Sequence, residues 1–385
     1  MMRTFLFSLF GLCFFGICAV SFASGTKEGQ HQHIGTPELM KKIHGSIVEL
    51  LPHSVGVSAF SRDKDRTLYL KTAGELKSHG KALVGVTSAK SDETFKVIAE
   101  NFASETHALH EALEKGNPRS ARFVFSNILN NCISCHTRQT THSSNVKTPL
   151  YNPKFSSNLS LLEKAELNTA IRRFEQALDQ YEKAFSKDGL YKIPGLLVEG
   201  YVIDYMIVGL KTKGQHKRVI KTLKNLAVQT TLPLSFQSTL SKWIGFLDGH
   251  DFSSPVSSYD KILALYNKGQ DLNTHPFDSA GTVAAILAGN YLQSYLYSGA
   301  SLSSKDRARG YLLYGMCELS LRRPQQISKV EYYLEKSITT HPKSEIAKKA
   351  YSVLEDHIYF ENSGSSGLSV PKEELNKLTS LRKLL

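Results

Sequence analysis

Cys132-Ile133-Ser134-Cys135-His136 places two thiols three positions apart, with an imidazole directly behind the second. On a helix the two sulfurs stand one turn apart on one side. Both can therefore reach one edge of a porphyrin, where thioether bonds to the vinyl groups tether a c-type haem and the adjacent histidine ligates the iron. A bare C-x-x-C also serves as a structural disulfide or in thiol–disulfide exchange. Exchange expects a thioredoxin-like βαβ setting, and the surrounding sequence has none. A structural zinc site needs four ligands, and no second cysteine pair follows. The motif reads as covalent attachment of one haem c, with Cys132 and Cys135 as tethers and His136 as proximal ligand.

The elements that must hold this motif are helical. Thr36-Pro37-Glu38 is a helix start, followed by the apolar stripe Met40, Ile43, Ile47 and Leu51 and a stop at Pro52. A second helix is expected over 65–84, with Leu68, Leu76 and Leu83. A third runs from Ser91-Asp92-Glu93 to Gly116, with Phe95, Ile98, Phe102, Leu109 and Leu113. A fourth begins at Asn117-Pro118 and carries Ala121, Val124, Phe125, Ile128 and Cys132. Short connections favour an up-down-up-down four-helix bundle. From Thr137 to Ser160 the chain turns to Thr, Ser, Asn and Pro, which marks a boundary.

Beyond it lie about eight amphipathic segments, broken near Gly189, Gly214, Pro233, Pro255, Pro276, Ser303 and Pro324. No strand-like alternation interrupts them, and Gly364-Ser-Ser-Gly367 reads as a flexible joint. The fold class is all-α, an N-terminal four-helix bundle followed by a helical-repeat domain. The expected divisions are 1–23 signal peptide, 24–138 haem bundle, 139–160 linker and 161–385 repeat domain. Arg3, the apolar run Phe5 to Val20 and Ser21-Phe22-Ala23 have the order of a cleaved leader. They predict export to the periplasm of a Gram-negative-type bacterium, with no transmembrane helix after cleavage. Cys13 and Cys18 leave with the leader. Cys317, in an apolar helical run, reads as a buried, inert thiol. The formal charge of +12 is spread without long basic blocks, which argues against nucleic-acid binding and leaves open docking on an acidic protein or an anionic membrane.

Two stretches carry family resemblances. A four-helix pattern with C-x-x-C-H at its end resembles the class II c-type cytochromes, cytochrome c prime and its low-spin relatives, over residues 36–138. That resemblance implies the same roles for Cys132, Cys135 and His136, and makes Arg138 a candidate contact for a haem propionate. Low-spin members take a methionine early in helix 1 as distal ligand, a position that Leu39-Met40-Lys41 resembles. In an up-down-up-down bundle the start of helix 1 and the end of helix 4 share one end, so Met40 and His44 are the distal candidates. Met40 ranks first, an open five-coordinate iron second, His44 third and His79 fourth. Met40 as a plain core residue is the competing reading. His107 and His110, ~20 Å along helix 3 from the haem end, read as surface residues. In the second half, Tyr311, Tyr314, Gly315, Val330, Leu334 and Pro342 resemble a tetratricopeptide repeat. Glu318, Ser337 and three extra residues near Arg323-Pro324 depart from its pattern.

Three functions follow as expectations. The first is an exported electron-transfer cytochrome, not an enzyme, whose repeat domain docks a redox or scaffold protein. The second is a five-coordinate haem protein that binds or senses small gases. The third is a haem-free helical interaction protein with a structural disulfide.

Overall fold

Helix α1 (Thr36–Leu50) buries Leu39, Ile43, Ile47 and Leu50, and Pro52 diverts the chain into a 3₁₀ turn, Leu51–His53. Ile43, Ile47 and Leu51 of the expected stripe are buried, but at its start Leu39 takes the core position and Met40 is only half-buried on the edge. α2 spans Arg66–Ser88, α3 Glu93–Glu114 and α4 Pro118–His136. Between α3 and α4, Gly116 takes a left-handed φ of 65°, and the Asn117 amide donates back to the Ala112 carbonyl (2.8 Å). Asn117 Oδ1 then accepts from the Ser120 amide (3.0 Å), so one residue closes α3 and caps α4. α1 packs on α2, α2 on α3 and α3 on α4. Phe60, in the α1–α2 connection, packs its ring against Tyr69 (5.4 Å) and Phe125 of α4 (6.0 Å).

The computed structural model describes residues 36–54, 59–88, 93–136, 159–170, 173–211, 214–254, 256–275, 278–297, 302–321, 327–365 and 367–385. The leader, Arg138, His31, His33 and nearly all of the 139–160 linker lie outside them. The chain from Gly35 to Leu385 forms one compact unit.

Twelve helices follow the linker among the described residues: α5 (Leu161–Ala170), α6 (Phe174–Ala184), the single turn α7 (Lys187–Leu190), α8 (Gly195–Lys211), α9 (His216–Ala227), α10 (Leu234–Asp248), α11 (Tyr259–Gln270), α12 (Thr282–Tyr297), α13 (Ser304–Ser320), α14 (Ile327–Thr340), α15 (Glu345–Glu361) and α16 (Lys372–Arg382). Neighbours pack pairwise and often also on the next helix but one: α6 on α8, α10 on α12, α11 on α13, α13 on α15, α14 on α16. α4 packs on α5 and α3 on α14.

The close approach of α13 and α14 depends on Gly315, where a Cβ would stand 3.0 Å from the Leu334 side chain. The Tyr314 and Tyr333 rings lie 4.3 Å apart beside it. Glu318, at the position where the repeat pattern has an aromatic, is buried 4.0 Å from the buried Lys329. Gly364–Gly367 is a tight turn and not a loose joint. Ser363 pairs with Leu368 and Gly364 with Gly367, whose φ of 100° only glycine adopts without strain. Cys317 is buried, and burial holds its thiol well above the usual range.

Burial sets the acid stability. His250 and His357 are held below the usual histidine range, first by burial; Lys268 and His216 add to this at His250, and Lys377 at His357. Asp251 opposes it at the first site, Glu361 and Glu331 at the second. The unfolded chain takes up these protons near pH 6.5 while the folded chain still refuses them, so stability drops as pH falls through that value. Half-buried Glu105 and Glu335, whose carboxyls desolvation raises, act in the opposite sense as pH rises from their unfolded range. The readout is therefore a difference. His357→Leu should lose less of its urea midpoint than the parent between about pH 7.5 and 5.5; equal losses would remove His357 from the account.

Candidate functional site

The Cys132–His136 motif forms the last turn of α4. A reactive C-x-x-C sits at a helix N-terminus, where the positive end of the macrodipole stabilises thiolate. Here the pair lies at the opposite, negative end. Cys132 is buried, and burial, helped by Cys135, pushes its thiol up to about 12. Cys135 and His136 are half-buried, and neither sulfur is in a disulfide. Cys132 is thereby a poor nucleophile for disulfide exchange. No group of three or more His, Cys, Asp or Glu residues with metal-binding geometry occurs among the described residues.

Cross-helix contacts give the axial register. Thr72 of α2 donates to Glu49 of α1 (2.9 Å), and His79 of α2 is lowered by burial and then by the charge of Lys42. Gly80 abuts Ala103 and Thr106 of α3, and Asn127 of α4 donates to Glu105 (3.4 Å). Lys42, His79, Glu105 and Asn127 thus share one level. At ~1.5 Å per residue, His136 lies about 13 Å beyond that level, toward the end where α1 begins. By the same measure Met40 is offset from His136 by about 10 Å and His44 by about 16 Å.

The faces follow from helical periodicity. On α1, Lys42 and Glu49 mark the edge of the buried stripe toward α2, and Met40 and His44 lie on the opposite edge. On α4, Asn127 marks the edge toward α3; Phe125, which meets Phe60, and His136 lie on the other. Side chains lean toward the N-terminus of their own helix. On α1 that is toward the motif, and on α4 it is into the helical layer, so both leanings shorten the gap. Met40 therefore stands closer to the level of His136 than His44 does, by about one helical turn.

His44 is nonetheless unusual. Both ring nitrogens are buried without a hydrogen-bond partner, and burial lowers its pKa, so it is a neutral imidazole in a site that leaves its polar atoms unsatisfied. Two orphaned ring nitrogens one turn from Met40 fit an interior that accommodates a further group. His79 lies on the α2 edge facing Lys42, away from the Met40 edge. His107 is exposed; His110, expected on the surface, instead packs over Gly74 of α2 with Glu114 3.3 Å away. Phe60, which ties the α1–α2 connection to α4, has no periodic signal in the sequence that would single it out.

Comparison of the chain with protein-family models, curated proteins and solved structures returns no match.

Proposed function

We propose that the chain is an exported, single-haem c-type electron carrier, built as a class II-like four-helix bundle with a tetratricopeptide-like domain that docks a protein partner. The observation that carries this reading is C-x-x-C-H in the last turn of α4, with Cys132 buried and its thiol pushed up at the negative end of the helix. A haem c bound there supplies one-electron chemistry. Cys132 and Cys135 hold its edge, His136 offers one ring nitrogen, and Arg138 is the propionate contact. Met40 offers a thioether from the facing edge of α1, which closes the metal to exogenous ligands and raises its potential. Leu39, Ile43 and Ile47 exclude water from that side. Gas binding would require this distal position to stand open; the place of Met40 early in α1, nearer the level of His136 than His44 is, supports a closed one.

The test is the intact mass of the matured protein from a host with a cytochrome c maturation system. One iron-porphyrin of added mass, with peroxide-dependent haem staining after denaturation, is the expected result. A mass equal to the polypeptide alone ends the reading.

A further inference from the structure

From Tyr205 to Leu247 the chain carries seven lysine and arginine residues and no aspartate or glutamate. Three of the seven are tied to carboxylates. Arg218 is clamped by Glu175 (3.0 Å), Asp179 and Glu182 of α6, Lys242 by the buried Asp278 (3.1 Å), and Lys224 by Asp248 (2.8 Å) across α9 and α10. Lys217 and Lys221 stay exposed, with no such partner among the described residues. Lys217, Lys221, Lys224 and Val228 recur at intervals of four, three and four, which aligns them along one exposed face of α9.

That row ends at the α9–α10 tip. Val228 (76% exposed) and Leu234 (83% exposed) are the two most exposed large apolar side chains among the described residues. Between Lys224 and Lys242 no residue is charged. The tip is also preformed. Leu232 is buried beneath it, and Gln237 Nε2 donates to the carbonyls of Leu232 (2.8 Å) and Gln229 (3.3 Å). Displaying two aliphatic side chains costs little conformational freedom on binding.

We infer that the α9–α10 hairpin docks the protein on an anionic phospholipid bilayer, with Val228 and Leu234 entering the interface and Lys217 and Lys221 meeting the headgroups, while Lys224 stays with Asp248. An uncharged apolar tip backed by a basic row is the composition of an interfacial anchor. An acidic protein partner is disfavoured by the residue types. Protein hot spots draw on Trp, Tyr and Arg, whereas Val, Thr and Leu are poor in them, and this tip displays Val228, Thr230, Thr231, Pro233 and Leu234. The surface belongs to the second half of the chain and stands whether or not a haem is attached.

The experiment is co-sedimentation of the full mature protein with vesicles of phosphatidylglycerol and phosphatidylcholine, against phosphatidylcholine alone. Binding to the mixed vesicles only is expected. Each lysine near the surface contributes about fivefold in partition, so K217E/K221E should lower binding by about 25-fold or more. V228S/L234S should lower it about tenfold with every charge kept. K305E/K349E, which reverses two exposed lysines elsewhere, should leave binding unchanged. No binding to the mixed vesicles, equal losses in the two charge-reversed variants, or an unaffected V228S/L234S would each overturn the inference. Helical circular dichroism retained in every variant separates loss of binding from loss of fold.

Discussion

Replacing both motif cysteines with serine should abolish covalent haem completely while leaving a folded, helical protein. The two effects separate because the side chains do different work. The sulfurs form the proposed thioether bonds, and serine oxygen cannot replace them; nothing graded is expected, only loss of the iron-porphyrin mass. The structural cost is small by comparison. Cys132 is buried, so its serine hydroxyl enters an apolar site at about 1–3 kcal/mol. Cys135 is half-buried in the last helical turn, where a polar side chain is tolerated. The measurement is intact mass with haem staining on a denaturing gel, beside a urea titration of the variant. A variant lighter than its parent by no more than the two sulfur-to-oxygen exchanges, because neither carries haem, returns the motif to an ordinary pair of helix-end thiols.

The helical class and the boundaries of the first four helices are legible in the sequence because local chemistry sets them. Asn117-Pro118 after Gly116 specifies a stop and a start within three residues, and the hydrogen bonds of Asn117 carry out both. Which edge of α1 is core is less legible. Met40 and Leu39 are both apolar and adjacent, and periodicity alone fits either; tertiary packing chooses Leu39 and leaves Met40 on the flank. The second half is harder to read. Its elements are shorter than their apolar runs suggest, with a further break at Arg173 that no proline or glycine announces, and with left-handed Lys343 directly behind Pro342 between α14 and α15. The Gly364–Gly367 turn is misread for a related reason, since glycine and serine serve a flexible linker and a tight hairpin equally well. The basic hairpin tip is plain in charge pattern. Only the structure shows that Arg218, Lys224 and Lys242 are paired and that Val228 and Leu234 face outward.

Met40→Ala should convert a low-spin haem spectrum to a high-spin one, with loss of the weak far-red band of methionine-ligated ferric iron and gain of carbon monoxide binding. The reduction potential should fall in parallel, because the thioether favours the ferrous state. His44→Leu should leave all three unchanged. Axial register decides between the two residues. Both occupy the edge of α1 turned away from α2, but His44 sits about 6 Å deeper than Met40, and leaning side chains do not recover a whole turn. The orphaned nitrogens of His44 pull the other way, since a buried imidazole without partners gains most from a ligand. If His44→Leu opens the iron and Met40→Ala does not, α1 must sit about one turn out along α4 when haem is bound, and the carrier would be a lower-potential bis-histidine centre. If the parent spectrum is already high-spin and responds to carbon monoxide, the distal edge of α1 supplies no ligand and the gas-binding reading takes its place.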